Sequence, residues 1–573
     1  MWPLESASLR QLVDAKDAER TAAIAEGLTE AGPASEDDHQ FLCATAVYIA
    51  QQVQSGQWTA GQVVRAYVRR AALAHSRFNC FTTVRFKEAI EEADALDAGV
   101  VLAAHKTSRG KFLGVPITIK DQYDLAGYDT SNGYSSWANN PASEDAGLVK
   151  ILRDEGGIVL GKTNVCQTLL FFETVNPVFG RTSNPWNAKH TCGGSSGGEA
   201  TVLSADASAL GIGTDKGGSL RIPSFYCGLY TLKPTLGRIT KAGLSSTTPG
   251  FDGVAVVGGP MGRSVDDVDA VARISFGRAT QDSESLPPVP YSEFVVTPST
   301  RLRFGFYTFD GCIRASPATQ RAVFETVAAL RNAGHEVVEF TPPDITTAVE
   351  LFVGLTSADG YSTMLEPIGS DPIMDELFLV TLGPKLPGFV RSIVGWLVEK
   401  VLGDEKFRRT FAASKTSTVA GYFKLNVARS QYISRWYKEV WDQGAFDGLI
   451  VPSQAIPAPL HGSTKMVPQL AVSTFLFNLL DFPTGVVPVT RVDPIKDAVT
   501  SEWLAKGPSA GTMVERRLFH GATPIYDAKA MSGLPVGVQI VGRCWEDEKV
   551  LAMMRIADDA LGKRSFGPGS WTP

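Results

Sequence analysis

Four glycines and two serines in six residues, Gly193-Gly194-Ser195-Ser196-Gly197-Gly198, and a second short cluster, Gly217-Gly218-Ser219, are the part of this chain whose residue types and spacing point most directly to chemistry. Glycine is needed where a backbone must take φ > 0 or pass close to another group. A run of unhindered N–H groups ahead of a helix can then hold an anion or a developing oxyanion. The two clusters bracket a helix-like stretch, Glu199 to Ser208, and a short strand, Ala209 to Gly213. Three chemistries use such a run. A phosphate loop needs GxxxxGK[ST], or GxGxxG for dinucleotides, and neither is present, because Lys216 stands where a third glycine would follow Gly211 and Gly213. A nucleophile elbow needs GxSxG after a strand. Gly193 to Gly197 matches those letters, but the preceding Ser183 to His190 reads as a turn-rich loop and no later histidine has a catalytic setting. The third chemistry is acyl transfer without histidine, in which a serine is activated by a neutral lysine through a second hydroxyl. It requires a lysine at a strand end, a rigidly held bridging serine and a nucleophilic serine whose own loop supplies oxyanion donors. Lys120, Ser195 and Ser219 fit those three roles.

The elements that must position these residues are α/β in texture. Leu113 to Ile119 is a β-branched apolar run ending in Lys120-Asp121, and Gly157 to Leu160 is another, with a helix expected between them over Asp145 to Asp154. Further strands are expected in the runs starting at Arg301, His335, Gly448, Gly485 and Val536, and a helix over Pro317 to Ala333. Thr59 is a plausible N-cap for a helix that puts Val63, Val64, Tyr67, Val68, Ala71 and Ala72 on one side. No internal repeat or low-complexity linker divides the chain. The expectation is therefore one large α/β unit, a central mixed sheet covered by helices on both sides. Residues 1–40 form a helical N-terminal extension to it, and residues 41–573 form the catalytic domain. Leu470 to Leu480 reads as buried core. Leu386 to Leu402 carries Phe389, Ile393, Trp396, Leu397 and Val401 along one helical stripe; packed core is the ordinary reading, and a substrate cap or surface-anchoring helix the alternative. Arg491 to Ser532 reads as an extended surface connection.

Several separated motifs agree in order with those of the amidase signature family. Gly114 to Asp121 (GVPITIKD) resembles its lysine strand, and Gly161 to Thr168 (GKTNVCQT) follows. Phe179 to Asn187, Cys192 to Glu199 and Gly213 to Thr235 complete the signature, a core of about residues 111–240, and Asn478 to Thr490 and Gly533 to Gly542 resemble the family's late strands. The wording around ETVNPVFGRT and NLLDFP is most similar to the fungal acetamidase and fatty-acid-amide-hydrolase branch. The resemblance implies that Ser219 attacks the acyl carbon and that Ser195, preceded by a cis bond from Gly194, contacts substrate and passes protons between Ser219 and Lys120. It further implies an oxyanion hole of backbone N–H groups from Lys216, Gly217, Gly218 and Ser219. Lys120 must be neutral to serve, so its pKa must fall well below about 10.4. The expected activity is hydrolysis of a small or apolar carboxylic amide, with esterase or acyl-transferase use of the same acyl-enzyme as the alternative and a Ser-His-Asp hydrolase as a remote one. Walls of the substrate pocket are assigned to residues 342–410.

Lys216 departs from the family pattern, where a small or apolar residue is usual. Its side chain is expected either to turn to Asp215 or Glu199, or to act as a second cation at the substrate mouth. Asp215 and Arg221 are expected to brace the loop, Cys192 and Cys166 to be buried thiols, and His190 to be a loop residue. No HExxH or CxxC spacing occurs, so neither a metal nor another cofactor is expected. A net charge of −6 with 20% charged residues gives no basic surface for nucleic acid. No run approaches the roughly 18 to 20 apolar residues of a transmembrane span. Seven scattered cysteines and no secretory leader suggest a reducing, cytoplasmic setting. The expected partner is a small amide, with a homodimer left open.

Overall fold

The computed structural model describes residues 6–99, 110–280, 285–297, 299–505 and 512–572. The first and last residues of the chain and part of the Arg491 to Ser532 segment lie outside that set. Eleven strands form one mixed sheet: β1 (Phe81–Val84), β2 (Pro116–Lys120), β3 (Ile158–Thr163), β4 (Leu210–Asp215), β5 (Tyr230–Lys233), β6 (Val257–Gly262), β7 (Arg303–Phe306), β8 (Glu336–Glu339), β9 (Gly448–Pro452), β10 (Thr484–Arg491) and β11 (Pro535–Val541). They lie in the order β1-β3-β2-β4-β6-β5-β10-β11-β9-β7-β8. β2 runs parallel to both β3 and β4, and β7 runs parallel to both β8 and β9; the remaining pairings are antiparallel. Parallel strands need crossovers, and the one from β2 to β3 contains helix Gly147–Asp154. β2 is buried along its whole length, as a strand with parallel neighbours on each edge and helices on its faces must be. That burial is what its run of Pro-Ile-Thr-Ile supplies and what makes a terminal lysine unusual.

The helices form where capping and periodicity place them. Thr59 caps helix Ala60–Phe78, and Gln62 returns the bond to complete a capping box. Its apolar side packs into the main core with helix Phe86–Asp97. Near the N-terminus, helix Ala7–Ala31 lies against the same body: Arg20 is buried, donates to the Phe81 carbonyl at 3.0 Å and sits over the Phe179 ring. Pro317–Asn332 begins with proline at its first turn behind the Ser316 cap. Helix Val472–Leu479 is buried throughout, as its apolar composition requires.

Three segments differ from the sequence reading. Ser183 to His190 is not an irregular loop: Ser183–Asn184 pairs with Asn187–Thr191 in a small hairpin, and His190 is buried in its second strand with Nδ1 2.7 Å from the Ala458 carbonyl. The segment after β10 is not merely extended. It contains helices Ser501–Ala505 and Met513–Phe519, and buries Val514, Leu518 and Phe519, with Trp503 packed edge-on to Phe519. The stripe on helix Gly388–Leu402 is not core: Phe389, Trp396 and Val401 are 69, 56 and 73% exposed. The helix packs mainly on its neighbour Glu405–Ala413, which covers only part of its circumference. Among the described residues no single helix is long and apolar enough to cross a membrane.

Candidate active site

The two-residue period of β2 places Thr118 and Lys120 on one face, the face covered by the N-terminal end of helix Gly197–Ser204. Thr118 Oγ1 donates to Glu199 on that helix at 2.8 Å, and Lys120 Nζ donates to Ser195 Oγ just ahead of it at 2.7 Å. The helix can approach this closely because Gly198 has no side chain. A Cβ there would lie 2.4 Å from the Asn164 nitrogen, at the end of β3. The peptide bond between Gly194 and Ser195 is cis.

Lys120 is fully buried. Its ammonium meets only hydroxyls, those of Ser195 and, at 2.6 Å, Thr214, which in turn donates to Gln122 Oε1 at 2.6 Å. Burial without an ion-pair partner brings its pKa down to about 7, against the smaller opposing pull of more distant acids. Of those, Glu199 is held between the Thr118 and Thr163 hydroxyls, and burial raises it to about 8. Near pH 7, then, a substantial fraction of Lys120 is the free amine.

Ser195 and Ser219 face one small chamber of about 40 Å³, together with Gln122, Thr214, Lys216, Thr247 and Thr248. Lys120 is not among its lining residues and reaches the chamber through the Ser195 and Thr214 hydroxyls. No histidine lines it, so the Ser-His-Asp alternative has no base at this position. The loop carrying Ser219 is fixed from below by Asp215, whose two oxygens accept from the N–H groups of Gly218 at 2.7 Å and Leu220 at 3.1 Å. Arg221 holds the same carboxylate through Nε and Nη2, both at 3.0 Å, and is itself tied to Asn478 Oδ1, Gln539 Oε1 and the Thr474 carbonyl. Burial would raise the Asp215 pKa; the Arg221 guanidinium and Asn478 amide outweigh it and hold it at about 2. Gly218 has φ +125°, and a Cβ would lie 2.2 Å from Thr474 Oγ1, so the turn excludes any other residue.

This bracing changes the expected oxyanion hole. The Gly218 N–H is directed at Asp215 and is not available to a substrate. The N–H groups of Lys216, Gly217 and Ser219 form no hydrogen bond among the described residues, which leaves three candidate donors rather than four. Lys216 also turns neither to Asp215 nor to Glu199, since both carboxylates are engaged elsewhere. Its Nζ donates to Thr248 Oγ1 at 2.5 Å and lies 4.9 Å from the centre of the Phe251 ring. Cys192 and Cys166 are buried, and burial pushes each thiol up to about 12.

Two larger cavities adjoin the chamber at Leu170. One, of about 240 Å³, is mostly apolar, with Phe352 stacked on Phe475 at 4.2 Å, and Leu379, Val380, Phe407 and Phe411 further out. The other, of about 360 Å³, is lined by Lys216, Thr248, Phe251, Tyr361, Val419 and Tyr422 among others. Sequence reasoning missed Thr214, Asn478 and Gln539. Each sits inside a motif already singled out, yet only its fold neighbours reveal its role. Among the described residues no cluster of His, Cys, Asp or Glu forms a metal site.

The family profile described as Amidase matches residues 62–551. A fatty acid amide hydrolase 1 of Caenorhabditis elegans is 32% identical over 530 residues, covering 90% of this chain and 87% of its own. An acetamidase of Emericella nidulans is 31% identical over 541 residues, covering 93% of this chain and 92% of its own. A solved structure of a fatty acid amide hydrolase superposes with a TM-score of 0.81 at 26% identity and covers 98% of both chains.

Proposed function

The chain belongs to the amidase family, whose members hydrolyse amide C–N bonds, and on that premise we propose that Ser219 is its nucleophile, Ser195 its proton relay and Lys120 its base. The observation that carries this assignment is the buried Lys120–Ser195 contact of 2.7 Å behind a chamber shared by Ser195 and Ser219. Ser219 Oγ attacks the amide carbon while its proton moves to Ser195 Oγ and the Ser195 proton moves to the free amine of Lys120. The carbonyl oxygen becomes an oxyanion facing the N–H groups of Lys216, Gly217 and Ser219; donors fixed in advance where charge develops are each worth about a hundredfold or more in rate. Collapse breaks the C–N bond as Lys120 returns a proton through Ser195 to the departing nitrogen. An ester on Ser219 and a free amine result. Water then repeats the relay against the ester, giving the carboxylic acid and restoring Ser219.

The 240 Å³ apolar cavity supports an apolar acyl group, with Gly217 facing the Phe352 ring and the Phe475 Cβ. Likeness to a fatty acid amide hydrolase supports the same choice. Intact-mass measurement after treatment with a fluorophosphonate tests the nucleophile. A single adduct is expected on the parent protein and none on Ser219→Ala; labelling of that variant to the same extent would sink the assignment.

A further inference from the structure

Among the residues lining the reacting chamber Lys216 is the one lysine or arginine, and no carboxylate answers its charge. It forms no ion pair among the described residues. One ammonium proton goes to Thr248 Oγ1, the Phe251 ring lies to one side, and no other hydrogen bond is made. Burial lowers its pKa to about 8, with no nearby carboxylate to oppose the shift. Asp359, the acid that shares its cavity, makes no ion pair with Lys216; its oxygens are held within its own turn, accepting from the Tyr361 and Thr363 N–H groups and the Ser362 hydroxyl. A half-buried ammonium held without a counter-ion is costly, and an anion brought by a ligand would offset that cost while gaining charge-assisted hydrogen bonds from the two remaining protons.

The position of this cation selects which end of a substrate it would meet. Lys216 lines both the Ser219 chamber and the 360 Å³ cavity. The apolar 240 Å³ cavity, which meets the 360 Å³ one at Leu170, Thr356 and Tyr361, contains no lysine or arginine. An apolar acyl chain in the second cavity leaves the amine-derived half of the amide to enter the first, toward Lys216.

We propose that Lys216 is a specificity residue that receives a carboxylate on the leaving amine, so that the preferred substrates are N-acyl amino acids with an apolar acyl chain. The inference rests on the assignment of Ser219 as nucleophile in an amide hydrolase. Hydrolysis then breaks the acyl C–N bond, adds one water, and releases a fatty acid and a free amino acid whose nitrogen takes its proton from the Lys120–Ser195 relay. Neither an oxidant nor a second substrate is needed.

The test is a matched pair of amides, N-octanoylglycine and N-propyloctanamide, in which an ethyl group takes the place of the carboxylate, with octanoate release followed by mass spectrometry. The parent enzyme should favour the carboxylate by about tenfold or more in kcat/KM, chiefly through KM, the scale expected for a charge-assisted bond. Lys216→Gln should reduce that ratio to about two or less, and Lys216→Arg should restore most of it. Since the ratio is taken within each variant, any effect on the backbone donor cancels. Turnover of N-propyloctanamide with no preference for N-octanoylglycine, or a preference unchanged in Lys216→Gln, overturns the inference and leaves the amide-hydrolase assignment standing. If neither amide is cleaved and the fluorophosphonate does not label Ser219, the nucleophile assignment fails instead. Calorimetric titration of both compounds into Ser219→Ala then decides the role of Lys216, and equal Kd values would refute it.

Discussion

Replacing Lys120 by methionine is the most demanding test of the site, because the structure fixes both what should be lost and what should survive. The side chain is fully buried and touches two hydroxyls, so Lys120→Met keeps most of the volume, removes an ammonium that burial disfavours, and leaves Ser195 and Thr214 each short of one partner. An unsatisfied buried hydroxyl costs about 1 to 3 kcal/mol, but Thr214 retains Gln122, and removing the ammonium relieves a desolvation penalty. The variant should therefore fold, with its urea midpoint moved only modestly. Activity should fall by about a hundredfold to ten-thousandfold, the usual contribution of a positioned general base. The pH dependence gives the sharper signature. With the Lys120 pKa brought down to about 7, the free amine is the active form, so kcat/KM should be flat above about pH 8. It should fall by about tenfold for each unit below about pH 6 as the base is protonated. That limb should vanish in Lys120→Met, whose residual activity no longer depends on the ammonium. A variant with full activity, or one that keeps the same inflection near pH 7, would show that Lys120 is not the base.

Two other outcomes follow from the loop that carries Ser219. Asp215→Ala leaves the Arg221 guanidinium buried with only neutral partners and frees the Gly218 and Leu220 N–H groups; a loss of about 3 to 5 kcal/mol in urea unfolding is expected, and an unchanged midpoint would contradict the bracing role. Gly218→Ala must place a methyl 2.2 Å from Thr474 Oγ1 at φ +125°, so initial-rate assays should show a loss of about a hundredfold or more by displacement of the oxyanion donors; activity within about twofold of the parent would mean that the loop tolerates a different path.

How much of this was legible in the sequence differs by feature. The strands with β-branched runs and the helices with clear caps, such as Ala60–Phe78 behind Thr59 and Pro317–Asn332 behind Ser316, were readable because local spacing alone forces their burial pattern. The exposed stripe of helix Gly388–Leu402 was not, since an apolar periodicity states that a face is apolar and not that anything covers it. The helices Ser501–Ala505 and Met513–Phe519 were missed for the opposite reason: their few apolar residues find partners in Arg314 and the Phe519–Tyr526 contact, outside any local pattern.

The order of motifs in the chain pointed to the family that the profile match shows, and it named Lys120, Ser195, Ser219 and a glycine-built loop as the candidates for its chemistry, because glycine takes without strain a backbone conformation that other residues avoid. Only the tertiary structure decided which groups remain free to act. It directed the Gly218 N–H to Asp215, buried Lys120 among hydroxyls so that its amine can be neutral near pH 7, and left Lys216 between two cavities with no ion-pair partner among the described residues. The contacts behind them join distant parts of the chain, Lys120 with Thr214 94 residues on and Asp215 with Asn478 263 residues on, and their proximity is set by strand order and not by spacing along the chain.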